Sequence, residues 1–207
     1  MAYGMRPVSH GGYNYQTGGF EEFPIDASSS VKIFNGDIVQ LTADFGVIRN
    51  TNTQIPVPLT VTAGSGSNVV PVNQALGIFV GCRYVTAAGT PTWSQWFPGV
   101  GDETEAYAQV VTDANAVFQI QGSIAWADTM MGVVNNPTII ADATPGGSTV
   151  TGNSSTNTDL AADANGCLRI IDAVRNGQDL SSSNTTPDVL VRWSSPTALI
   201  YGYQTAV

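Results

Sequence analysis

Val31-Lys-Ile-Phe34, then Asn35-Gly36, then Asp37-Ile-Val-Gln-Leu-Thr42: two runs rich in β-branched and aromatic residues flank a dipeptide made for tight turns. Asn and Gly reach positive φ at low cost, so Asn-Gly between apolar runs predicts a two-residue β-hairpin. The same grammar continues outward. Ile55, Val57, Leu59 and Val61 alternate with Pro56, Pro58, Thr60 and Thr62. Both prolines share parity and remove amide donors from one side of that strand, which predicts a sheet edge.

Further apolar runs follow at Leu76 to Val85, Thr92 to Phe97, Ala106 to Val111, Val117 to Gln121, Leu168 to Val174, Val189 to Trp193 and Leu199 to Tyr203. Clusters of Gly, Pro, Asn, Asp and Ser separate them at fairly even spacing, which favours a sandwich or barrel over βαβ units. Only Ile124 to Val134 has a pattern that a short helix would fit, and residues 143–165, rich in Gly, Ser, Thr and Asn, read as a long surface loop or hairpin. The expected fold is all-β: a single β-sandwich or barrel-like domain over residues 31–207, preceded by an extended N-terminal arm over residues 1–30, with little helix.

The arm is set apart by composition. Gly4, Gly11, Gly12, Gly18 and Gly19 are interleaved with Tyr3, Tyr13, Tyr15, Phe20 and Phe23, without a strand or helix period. Glycine supplies freedom, and aromatic rings supply contact area at small entropic cost. Such a segment is either a loose terminus or an arm laid against a partner. Disordered tails are poor in aromatics, which favours the docked arm. On that reading residues 31–207 fold without residues 1–23, and the arm, with Arg6 its only basic side chain, binds through apolar and hydrogen-bonded contacts.

Charge narrows the functions. Charged residues make up 11% of the chain, against about 25% in ordinary globular domains, and such a surface suits extensive uncharged contact with neighbours. Sixteen acidic residues against seven basic ones give a net charge of −9, without a Lys/Arg cluster to displace counterions from phosphates. Nucleic acid is not an expected partner. Neither is a membrane, since no run approaches 18 apolar residues, and the first residues lack a signal-peptide core. Cytosolic synthesis then makes Cys82 and Cys167, each in an apolar stretch, read as buried reduced thiols rather than a disulfide.

Catalytic material is scarce. The one histidine, His10, lies in the arm, where it cannot be held against a nucleophile. Gly64-Ser-Gly-Ser67 reads as a turn rather than a nucleophile elbow or phosphate loop, and no metal or cofactor motif is present. Asp102, Glu103 and Glu105, and Asp113 near Asn115, offer oxygen ligands but lack the spaced acidic loop of a calcium site, and read as solvated turn residues. No catalytic, cofactor or metal residues are expected. Trp93, Trp96 and Phe97 do carry a signal. Trp93 and Trp96 have opposite strand parity, so either one ring faces solvent or an interface, or a bulge tucks all three inside. The candidate partner contacts are Tyr3, Arg6, Tyr13, Tyr15, Phe20, Phe23, Trp93 and Trp96.

Met1-Ala-Tyr-Gly-Met-Arg-Pro-Val8, Phe34-Asn-Gly-Asp37-Ile-Val, Leu76-Gly-Ile-Phe-Val-Gly-Cys82 with Tyr84, Thr92-Trp-Ser-Gln-Trp-Phe-Pro98 and Asp188-Val-Leu-Val-Arg192 together resemble a small virion structural protein of marine and related tailed phages. The resemblance implies a head-associated decoration or cement role in the virion, on the major capsid protein, with a trimer favoured by threefold lattice positions. It carries no catalytic or cofactor residues with it, and the 143–165 stretch departs from the pattern. The alternative is a tail-fibre or surface recognition module binding host carbohydrate through exposed aromatics. On either reading His10→Ala is expected to abolish no enzymatic activity; a hydrolytic activity lost on that substitution would overturn both.

Overall fold

Along Ala116–Gln121 every second side chain is buried, the signature of a strand with one face on a core. The computed structural model describes residues 2–10, 13–14, 19–26, 31–41, 46–49, 75–99, 104–113, 115–132, 134–135, 137–138, 146–160, 168–175 and 177–193. They form an all-β domain. In chain order the strands are Arg6–His10 (β1), Tyr13–Asn14 (β2), Glu21–Pro24 (β3), Ile33–Phe34 (β4), Ile38–Leu41 (β5), Val47–Arg49 (β6), Gly77–Val85 (β7) and Pro91–Ser94 (β8). Then follow Trp96–Phe97 (β9), Thr104–Val111 (β10), Ala116–Gln121 (β11), Val134–Asn135 (β12), Pro137–Thr138 (β13), Asn157–Thr158 (β14), Leu168–Ala173 (β15) and Asp188–Trp193 (β16).

One antiparallel sheet runs β3-β10-β7-β5-β6, with β8 added to β7. It curls until its ends meet: Ile25, just past β3, forms a parallel bridge with Val47 of β6, and the Asp26 N–H donates to the Val47 carbonyl at 3.1 Å. The result is a small five-stranded barrel. Its interior is filled by Ile25, Val39, Val47, Phe79, Cys82, Ala108 and Val110, with Ile33 and Phe97 of the β4–β9 pair packed in the same cluster. A second antiparallel sheet, β12-β15-β16-β11-β1-β2, lies against the barrel wall. Its Phe118, Ile120, Leu168, Ile170, Val189 and Val191 share a core with Ile38, Ile78 and Val111 of the barrel. Strand β7 is therefore buried on both faces, which explains the nearly unbroken apolar run from Leu76 to Cys82.

The Asn35-Gly36 turn forms, but it does not join a hairpin. The Asp37 N–H donates to the Phe34 carbonyl at 2.9 Å, closing the turn, and Gly36 has φ +91°. Strand β4 then pairs with β9 while β5 pairs with β6 and β7. The turn is a corner between two layers, and its side chain of consequence is Asp37. That carboxylate, 1% exposed, accepts the Phe34 N–H at 2.8 Å and the Ser154 hydroxyl at 2.5 Å, and pairs with Arg49 Nε at 3.3 Å.

The N-terminal segment packs within the domain itself, where its composition suggested an extended arm docked on a partner. Met5 is fully buried in the shared core, β1 sits between β11 and β2, and β3 is one stave of the barrel. Gly4 (φ +76°) presses on Gly36 so closely that a Cβ on either would meet the backbone of the other. Those glycines serve close approach rather than flexibility. Of the loop or hairpin expected over 143–165, the described part holds a hairpin followed by a buried segment. Residues 147–154 close a hairpin with Val150 exposed at its tip, and beyond it Ser154, Thr156 and Thr158 are buried. The expected helix at 124–134 reduces to one 3-10 turn, Asp128–Met130. The proline-bearing run 55–62, Gly64–Ser67, Asp102, Glu103, Cys167 and the 199–203 run lie outside the described residues.

Two tests follow. Met5→Ala should lower the unfolding free energy by about 2–5 kcal/mol in urea titration, the range for truncating a buried Met, whereas a detached arm would leave stability unchanged. Burial raises the Asp37 carboxyl from 3.8 to about 6, opposed by Arg49 and the Ser154 and Phe34 hydrogen bonds. Between those values the folded chain keeps a proton that the unfolded chain has released, so this contribution is full at low pH and is lost as pH rises through about 6. Measured against Asp37→Asn, which lacks the titration, the parent protein should lose relative stability on going from about pH 4 to about pH 7.

Candidate functional site

The barrel presents its outer wall on β8, β7, β10 and β3, and the strand register decides what meets there. Trp93 pairs with Arg83, Arg83 with Tyr107, and Tyr107 with Pro24. Directly opposed residues point to the same face, so Trp93, Arg83 and Tyr107 form one row across three strands. Trp93 is 71% exposed. The Arg83 guanidinium lies over the Tyr107 ring at 4.1 Å from its centroid, and its Nε and Nη2 donate to the Glu22 carboxylate at 3.1–3.3 Å. The hydrogen bonds from Arg83 hold the Glu22 carboxyl below its usual range. In the next row Gly81, which is buried, faces Gln109, which faces Glu22.

Three side chains from one short segment thus go three ways. Ser94 ends β8, a bend at Gln95 follows, and β9 takes β4 as its partner. Trp93 is left outward and Phe97 goes into the barrel although they share parity, because that bend resets the alternation. Trp96 is half-buried, stacked on Phe34 at 5.8 Å with Lys32 over its other side at 5.6 Å.

The N-terminal candidates are drawn inward. The Tyr3 hydroxyl donates to Asp188 at 2.7 Å and accepts from Gln119 at 2.9 Å, and the Arg6 guanidinium lies 4.3 Å from its ring centroid. Burial, with the Asp188 hydrogen bond, pushes the Tyr3 phenol well above its usual range, so it stays a neutral donor. Phe23 packs against the barrel interior, Phe20 is 40% exposed just before β3, and Tyr13 lies in β2. Tyr15 lies outside the described residues. Among the described residues, the register partner of Trp93 is Arg83.

A second feature lies on the other sheet. Leu168 and Ile170 of β15 face the core and Ile171 alternates outward, 37% exposed; the pairing with β16 then slips between Ile170 and Asp172, a bulge that returns Ala173 to the core. Met131, 47% exposed, is brought beside Ile171 by the Gly132 N–H donating to the Ile170 carbonyl at 2.9 Å. Arg175 borders the pair, bonded to Asp172 at 2.8 Å and to Asp128 at 3.6 Å.

Cys82 carries a buried free thiol whose pKa burial pushes up to about 12, leaving it protonated and directed at the Ser94 and Trp96 carbonyls. The Asp113 carboxylate accepts the Asn115 N–H at 2.8 Å, the geometry of a turn. Among the described residues no cluster of three or more His, Cys, Asp or Glu is placed to hold a metal, and no helix is long and apolar enough to cross a membrane. No family model, curated protein or solved structure matches the chain.

Trp93→Ala should leave the unfolding midpoint near that of the parent, because the ring is mostly in water already. Phe97→Ala, emptying a site inside the barrel, should cost about 3–5 kcal/mol by the same titration.

Proposed function

We propose that the chain is a non-enzymatic structural protein of a tailed-phage head, a decoration or cement subunit that binds the major capsid protein and stabilises the shell. The observation that carries the reading is Ile171, outward on β15, with Met131 exposed in the turn whose Gly132 N–H donates to the Ile170 carbonyl. Large apolar side chains held outward on a rigid sheet, with the neighbouring charges already paired among Arg175, Asp172 and Asp128, suit contact with another protein. Sparse surface charge over the whole chain supports the same reading, as do the motifs that resemble phage virion proteins.

Mechanically, such a subunit adds interface area between capsomers that packed DNA pushes apart. A closed trimer at a threefold position multiplies each weak contact, because release must break several at once. The attachment is assigned here to the sheet face rather than to an N-terminal arm, since residues 3–10 are occupied within the domain.

The test is sedimentation of the purified protein with undecorated heads of the phage that encodes it. Ile171→Asp with Met131→Asp should abolish co-sedimentation while leaving the circular dichroism spectrum and monomer fold intact. Because the face is apolar, binding by the parent should fall little as salt rises. Undiminished decoration by the double variant would remove this face from the mechanism, and failure of the parent to bind heads would remove the function.

A further inference from the structure

The Trp93 wall is the feature that head attachment leaves unused. Its composition differs from that of a protein hot spot, where a buried ring is surrounded by apolar contacts that exclude water. Here the ring stands almost free, and its neighbours in register are a guanidinium, a second aromatic ring, a carboxylate and a primary amide.

We infer that the row Trp93–Arg83–Tyr107, with Glu22 and Gln109 at its border, is a binding site for a neutral oligosaccharide. A pyranose has two kinds of surface. Its C–H face stacks on an aromatic ring, and its hydroxyls both donate and accept around the rim. Trp93 supplies the first at one end of the row. Glu22 is an acceptor, Gln109 both donor and acceptor, and Arg83 keeps donor capacity beyond the two nitrogens that Glu22 engages. The row spans two strand spacings, about 10 Å, room for a disaccharide lying along it.

Charge selects the class of sugar. Arg83 is matched by Glu22 and carries no net charge into the site, so a sulfated or uronic-acid polymer finds no uncompensated cation there. The chain's net charge of −9 repels polyanions in addition. Order also favours binding. Strand pairing, the Tyr107 ring and the Glu22 carboxylate already hold Arg83, so little side-chain freedom is lost when a ligand arrives. A site of this kind on an exposed wall would let a particle dwell on a glycan-coated surface, each weak contact multiplied by copy number.

The test is titration of the intact protein with maltohexaose, cellohexaose and the hexamer of N-acetylglucosamine, followed by tryptophan fluorescence and calorimetry, with heparin as the anionic comparison. At least one neutral hexamer should bind and perturb tryptophan emission, with affinity indifferent to salt. Trp93→Ala should weaken it about tenfold, in line with the loss of one aromatic stacking contact. Trp93→Phe should retain most of the affinity, and Arg83→Met should weaken it while leaving the fold intact by circular dichroism. The Ile171→Asp, Met131→Asp variant should bind sugar like the parent, so loss of head attachment and loss of sugar binding are separable. No binding to any of the three neutral hexamers, binding to heparin alone, or binding that Trp93→Ala leaves unchanged would each overturn the assignment.

Discussion

The domain is organised around one buried charge. Asp37 sits where the β4 layer turns into the barrel, and its carboxylate gathers the Phe34 amide, the Ser154 hydroxyl and the Arg49 guanidinium, so three stretches far apart in sequence converge on two oxygens. A buried ion pair of this sort does little for net stability, since desolvation offsets the attraction, but removing one partner strands the other and costs about 3–5 kcal/mol. What it provides is register. Around it the backbone is pinned further: Gly36 donates to the Phe79 carbonyl, Met5 donates to the Gly36 carbonyl, and Ser154 donates to the Asn35 carbonyl. Barrel, N-terminal segment and the 146–160 stretch are all located by the geometry of a single turn.

Much of this was legible in the residues, because the signals were apolar and local. Leu76 to Val85, Ala106 to Val111, Val117 to Gln121 and Val189 to Trp193 each read as strands, and each contains one. The Asn35-Gly36 turn was legible as a turn. Its topology was not, because the dipeptide fixes only the local bend, while the partner of each flanking strand is chosen by burial of Ile33 against Phe97 and Val39 against Phe79 in one cluster. The N-terminal strands were hidden for another reason. Their glycines suggest freedom, whereas Gly4 is there because two backbones meet, and that is a property of the distant residue, Gly36. Likewise Ser154, Thr156 and Thr158 alternate as a buried strand would, but with hydroxyls in place of methyls, so hydrophobic periodicity cannot register them.

The candidate sites show the same division. Parity left open whether one ring among Trp93, Trp96 and Phe97 faced outward or a bulge tucked all three inside, and the bend at Gln95 decides it. Arg83, Tyr107, Glu22 and Gln109 become a site only through cross-strand register, which sets Glu22 against Gln109 and brings Arg83 onto Glu22, 61 positions away. Ile171 follows simple alternation from Leu168 and Ile170, but the bulge reverses the parity after it, so Ala173 rather than Asp172 returns to the core.

The tie between Tyr3 and Asp188 spans 185 positions in the chain. At a synthesis rate of about 5–20 residues per second, the first strand emerges roughly ten to forty seconds before the carboxylate that holds it exists. β11 arrives earlier, but until β16 follows the Tyr3 hydroxyl lacks its acceptor and the core that covers Met5 lacks Val189 and Val191. Completion of the second sheet is therefore a late event, slow for its size because its pairings are non-local. The nascent N-terminus spends that interval as a sticky, incompletely covered strand, which makes it the segment with most to gain from a chaperone at the ribosome exit.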